Sequence, residues 1–172
     1  MINNEELENF RCRITNCKKC GPDYKPAVGF GNTDRPKIFF IGMNPWVENN
    51  EYKDGRGITI LKEQLLRQKF SNFFFDNVIK CELPIGQKVS AFELRSCKPF
   101  LERQIELLKP KNIVLFGDFV RHGLGIKEGF WEACVYKGLP TYVFPHFSSV
   151  LYGKNNVDEY YNKFFRVLWD IK

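Results

Sequence analysis

Long apolar runs are absent from this sequence: its most hydrophobic stretches, Ile38 to Met43 and Ile113 to Phe116, are far shorter than a bilayer-crossing helix requires. A transmembrane helix is excluded, membrane partners are not expected, and the acidic start Met-Ile-Asn-Asn-Glu-Glu is unlike a secretory signal. Internal repeats, low-complexity tracts and interdomain linkers are also missing. Residues 1–172 are therefore expected to form a single domain, long enough to bury a core without covalent staples. Acidic residues are in the minority, 20 against 26 Lys and Arg, so the net charge of +6 attracts polyanions such as nucleic acids. Apolar residues at 44% and charged residues at 27% are ordinary for a folded protein, which excludes disorder; aromatics, with 17 Phe, are abundant.

What is present alternates between strand and helix. Lys37–Met43 reads as a buried strand ending in the turn Asn44-Pro45, Ile58 to Lys69 has helical spacing, and Phe73 to Ile79 returns to strand. Ser90 with Glu93 three residues on predicts a capped helix through Leu108, interrupted near Ser96–Pro99 because proline removes a hydrogen bond and clashes with the preceding turn. A strand at Asn112–Gly117 and a short helix from Asp118 follow. Strands at Trp131–Tyr136 and Thr141–Phe144 flank the turn Lys137-Gly138-Leu139-Pro140. The tail, Val157 to Trp169, has apolar residues every three or four positions and should lay one broad face on the body. The alternation implies a parallel sheet covered on both sides, with ligands at the carboxyl ends of its strands.

Six cysteines without a secretory signal point to a reducing compartment, hence a cytoplasmic protein, where thiols are ligands, catalytic groups or core residues rather than disulfides. Cys17 and Cys20 form a C-x-x-C pair, and Cys81 and Cys97 lie far along the chain, in a loop and a helix. Four converging thiolates suit tetrahedral zinc or a four-iron four-sulfur cluster, and spacing alone does not choose between them. A redox pair beside two buried thiols also satisfies the pattern. Cys12 is an alternative ligand to Cys17, and Cys134 reads as a core thiol.

The order of these segments carries more than any one of them. The C-x-x-C pair is followed by Gly29-Phe30-Gly31-Asn32, the strand ending Gly42-Met43-Asn44-Pro45, and Gly55-Arg56. Then come Asn77-Val78-Ile79-Lys80-Cys81, Cys97 and Pro145-His146-Phe147-Ser148. From about Cys17 to Leu151 this resembles the family-four uracil-DNA glycosylases, the bacterial and archaeal iron–sulfur enzymes. The resemblance implies a three-layer α/β/α sandwich around a four-stranded parallel sheet. It implies a monomeric, monofunctional enzyme that hydrolyses the N-glycosidic bond of uracil in DNA, leaving an abasic site for base-excision repair.

Carried over by position, Cys17, Cys20, Cys81 and Cys97 would ligate a structural 4Fe-4S cluster, with zinc as the alternative. Asn77 matches the asparagine that reads the flipped base, since an amide can donate to uracil O4 and accept from N3–H. His146 matches the histidine that stabilises negative charge at O2 as the base departs. Ser148 would support the loop or hold a phosphate, Leu151 would be a wedge filling the gap left by the extruded base, and Gly42, Met43 and Ile58 would complete the base site.

Three positions depart from the family. Gly42-Met43-Asn44-Pro45 stands where the family has an acid, and resembles the motif of the single-strand-selective and mismatch-specific branches, in which asparagine positions the attacking water; Asn44 takes that role here. Ile58 stands in place of the phenylalanine that stacks on uracil, leaving Trp46, Phe30 or Tyr52 to supply a ring. Phe147 replaces a proline, which should loosen the turn after His146. The altered pocket admits hypoxanthine, xanthine or mismatched thymine as the excised base. A catalytically weak nucleic-acid-binding module that keeps the cluster is the alternative.

Overall fold

A computed structural model describes residues 4–48, 51–153 and 156–171. Its centre is a six-stranded mixed sheet. The strands are β2 (Phe30–Gly31), β3 (Ile38–Gly42), β6 (Phe73–Asn77), β8 (Asn112–Phe116), β9 (Ala133–Tyr136) and β10 (Leu139–Phe144), in the order β2-β6-β3-β8-β10-β9. The four central strands run parallel. The expected parallel core is there, but antiparallel edge strands β2 and β9 extend it to six. Strand β9 lies within the Trp131–Tyr136 segment expected to be a strand, whereas β2, two residues long, is too brief to leave an apolar pattern in the sequence. Central strands β3 and β8 are buried at every position, as continuous apolar runs in a sheet covered on both faces must be.

Helix α2 (Arg56–Arg67) connects β3 to β6, and α5 (Val157–Asp170) packs beside it on one face of the sheet, through Leu61, Leu65, Tyr160, Phe164 and Leu168. Helices α3 (Ala91–Leu108) and α4 (Asp118–Gly123) cover the other face through Leu101, Ile105, Leu108 and Val120. Because the connections out of β3 and β6 lie on opposite faces, the chain moves first to one side of β3 and then to the other. This creates the switch point at which α/β sheets bind ligands. No helix among the described residues is long and apolar enough to cross a membrane.

Helix α3 starts as its sequence predicts: the Phe92 N–H donates to the Ser90 hydroxyl at 3.2 Å and the Ser90 N–H to Glu93 at 2.9 Å. It does not break at Pro99. The proline faces solvent, while Cys97, Phe100, Leu101 and Gln104 are buried around it, so tertiary packing holds the helix through the lost hydrogen bond.

Helix α1 (Asn4–Thr15), which left no clear signal in the sequence, packs Phe10 and Ile14 on Phe100 and Leu107 of α3. Strand β1 (Lys25–Pro26) pairs antiparallel with β7 (Cys81–Glu82), so Cys81, expected in a loop, lies on a short strand opposite Pro26. Together these contacts bring the N-terminal C-x-x-C segment back to the sheet.

Candidate active site

A cavity of about 130 Å³ opens at the carboxyl ends of the central strands. Pockets for drug-sized ligands span about 300–1,000 Å³, so this one suits a single small ring. Asn44 follows β3, Asn77 ends β6 and His146 follows β10, and all three line this cavity together with Ile58 and Ser148.

Asn77 is 2% exposed, and its side-chain Nδ2 donates to the Tyr52 hydroxyl at 2.9 Å. Its register partner on β3 is Gly42. A Cβ on Gly42 would lie 2.4 Å from Asn77 Oδ1, so the glycine serves the site by leaving room for that amide. Asn44, by contrast, is exposed, and its amide makes a long 3.4 Å contact to the Pro45 carbonyl. It is thus available to a water molecule.

His146 caps a short 3₁₀ helix, Phe147–Tyr152, and its Nδ1 accepts the backbone N–H of Ser148 at 3.1 Å. Burial pushes its pKa down to about 4, so the ring is neutral at pH 7 with its proton on Nε2. The Tyr160 hydroxyl donates to the Pro145 carbonyl at 2.8 Å and fixes the chain just before the histidine. Phe147 does not loosen this turn, contrary to expectation. It is buried against Phe75 and Phe116, with ring centroids at 6.0 and 5.1 Å, so packing rather than a proline ring anchors the segment. Ser148 supports the loop through its main chain, and its hydroxyl packs so near Gly57 that a Cβ there would approach within 2.2 Å.

The rings that compensate for Ile58 are only partly those singled out from sequence. Trp46 and Tyr52 line the cavity, whereas Phe30 lies behind it, stacked on Phe75 at 5.3 Å. Phe75, not singled out from sequence, and Phe147, read there only as a missing proline, also line it. Strand periodicity could have found Phe75, since it shares a sheet face with Asn77 two residues on. The side chain of Met43 is not part of the cavity lining; it packs with the core beneath α3 and α4. Leu151 is half-buried against the core, while Tyr152 beside it is 76% exposed.

The C-x-x-C thiols, Cys81 and Cys97 share one neighbourhood. Burial raises Cys81 to about 12, and the charges of Cys97, Cys17 and Cys20 push it in the same direction. Cys20 is raised by burial and then by Cys97 and Cys17. Cys12 is exposed on α1, and Cys134 is half-buried on the edge strand β9. Among the described residues no three Cys, His, Asp or Glu side chains are drawn together as a ready-made cage for a single metal ion.

A family model described as the uracil DNA glycosylase superfamily matches residues 28–169, a span that begins after the C-x-x-C pair. The chain is 29% identical to a type-4 uracil-DNA glycosylase of Sulfurisphaera tokodaii, over 66% of this chain and 55% of that protein. It is 30% identical to one from Pyrobaculum aerophilum, over 65% of this chain and 61% of the relative, and 28% identical to one from Archaeoglobus fulgidus, over 67% and 61%. The chain thus spans somewhat more than half the length of these relatives.

Proposed function

The chain belongs to the uracil DNA glycosylase superfamily, and from that premise we propose that it hydrolyses the N-glycosidic bond of uracil in DNA, releasing the base and leaving an abasic site. The observation that carries this reading is the convergence of Asn44, Asn77 and His146 on one ring-sized cavity. A base inside a duplex is out of reach of such a cavity, so the nucleotide must be extruded into it. Asn77 then reads the base edge, while Phe75 and Phe147 supply the aromatic wall that Ile58 does not.

As the C1′–N bond lengthens, the bonding electrons leave with the base and the sugar becomes cationic. His146 faces the growing negative charge as a neutral donor through Nε2–H, and needs no change of protonation to do so. Asn44 orients the water whose oxygen bonds to C1′. An amide is a poor base, but a cationic sugar requires a well-placed water more than a deprotonated one. The departing base anion takes up the proton that water releases.

Cys17, Cys20, Cys81 and Cys97 fit a four-iron four-sulfur cluster. The charges of these thiols act on one another, and four cysteine sulfurs are the ligand set that such a cluster takes. Zinc, which four cysteine sulfurs also hold, is the alternative. When bound, the cluster supplies a clasp between the N-terminal segment, β7 and α3 rather than chemistry at the base. The exposed Tyr152 is a second candidate, beside Leu151, to fill the gap left by an extruded base, since Leu151 is partly buried against the core.

Release of free uracil from a uracil-containing oligonucleotide tests the reading, with Asn44→Ala and His146→Ala each lowering the rate about 100-fold or more. No release from single- or double-stranded DNA would sink it. DNA binding without release of uracil, hypoxanthine, xanthine or mismatched thymine would favour a binding module instead.

A further inference from the structure

Behind the base-reading residue, on the side facing α3, lies a closed polar network. Asp76, Lys80 and Gln104 are 1%, 2% and 3% exposed. The Lys80 ammonium donates to Asp76 Oδ2 at 2.9 Å, to Gln104 Oε1 at 2.7 Å and to the main-chain carbonyl of Asn77 at 2.7 Å, which uses all three of its donors. Gln104 donates back to Asp76 Oδ2 at 2.7 Å, and Asp76 Oδ1 accepts the Asn77 N–H at 2.7 Å. Both polar main-chain groups of Asn77 therefore end on this network.

The same lysine touches the cysteine site. Its backbone N–H and its charge both act on the Cys97 thiol, and Cys81 is the next residue. Gln104 lies two turns beyond Cys97 on α3. A buried ion pair is weak evidence for stability, because desolvation offsets much of the attraction, and its best-attested use is to specify one arrangement. Here the arrangement specified is that of a residue which must meet a base edge within hydrogen-bonding tolerance.

We propose that Lys80, clamped by Asp76 and Gln104, is a positioning residue that sets the Asn77 amide and ties its placement to the cysteine-bearing helix α3. The proposal deepens the reading above, since what it positions is base recognition. Displacement of α3 at Cys97 would be transmitted through Gln104 and Lys80 to the Asn77 main chain, so the cysteine site would govern selectivity without touching the base.

The test uses the full chain with its metal site loaded, and two variants. Lys80→Met removes the ammonium at similar length; Gln104→Met removes two hydrogen bonds but no charge, and serves if Lys80→Met fails to fold. Three quantities are compared with the unaltered protein: visible absorbance of the cysteine site, hydrogen exchange of the segment 74–80 against that of α5, and the ratio of uracil to cytosine release. The expected result is intact absorbance and unchanged exchange in α5, with exchange around Asn77 about 10-fold faster and base discrimination about 10-fold lower. Unchanged exchange around Asn77 in the folded variants overturns the proposal whatever the protein's activity. Faster exchange there with discrimination intact also overturns it, because the network would then be structural only. If exchange accelerates but the unaltered protein releases no base, the positioning of Asn77 stands and the glycosylase reading fails.

Discussion

The Nδ1 of His146 accepts the main-chain N–H of Ser148, two residues along the same turn, at 3.1 Å. This bond settles the tautomer: a nitrogen that accepts carries no proton, so the donor is Nε2. It also makes the ring intolerant of a second proton, which would have to be placed where the Ser148 N–H already points.

The first prediction concerns pH. Burial holds His146 near pKa 4, below its ordinary 6.5, so the unfolded chain binds this proton more readily than the folded one. The stability His146 contributes is complete above about pH 6.5 and is lost as pH falls from there through about 4. Single-turnover rates should hold down to pH 5 and fall below it, and the thermal midpoint should drop across the same window. An activity loss centred near pH 6.5 would show that the ring titrates normally.

Gly42→Ala is the second test. The new methyl would lie 2.4 Å from Asn77 Oδ1, and the neighbouring Phe75 ring at 3.3 Å leaves little room to yield. Overpacking of this kind costs about 1–3 kcal/mol. Uracil release should fall about 10-fold or more as Asn77 is displaced, while the circular dichroism spectrum is retained. Unchanged kinetics would mean that Asn77 does not read the base from this position.

Cysteine substitutions should separate into two classes. Cys81→Ser and Cys97→Ser should abolish visible absorbance and lower the thermal midpoint, because both thiols are buried in the shared site. Cys12→Ser and Cys134→Ser should leave both unchanged, since Cys12 is exposed and Cys134 lies on the far edge strand. Iron and zinc contents measured on the purified protein distinguish the two metals.

Tyr152→Ala tests the exposed ring after the histidine turn. Filling the gap in a base stack matters only when there is a stack, so the substitution should slow release from duplex DNA about 10-fold and from single strands much less. Equal slowing on both would assign Tyr152 to general binding, and Leu151→Ala should act mainly on stability, because that side chain packs on the core.

The polar members of the site were legible because each sits in a short ordered motif at the end of an apolar strand. Asn44 and His146 follow β3 and β10 in this way, and Asn77 ends β6. Its walls were not legible in the same way. Tyr52 belongs to a small hairpin, Val47–Glu48 with Glu51–Tyr52, whose residues give no periodic signal. Phe147 looked like a weakened turn, because a sequence shows that a proline is missing but not that a phenylalanine is buried in its stead. Pro99 misled for a related reason: local chemistry marks a helix break, and only the packing of Phe100, Leu101 and Gln104 overrules it.

By itself, then, the sequence determined the alternation of strands and helices and the parallel core. Those follow from periodicity and from side-chain type, properties that a linear chain already contains. Tertiary structure alone decided that Tyr52 meets Asn77, that Met43 turns away from the cavity, and that Lys80 joins the end of β6 to the cysteine-bearing helix. Each of those relations depends on which face of an element is buried against a partner distant in sequence, and packing of the whole chain is what selects that face.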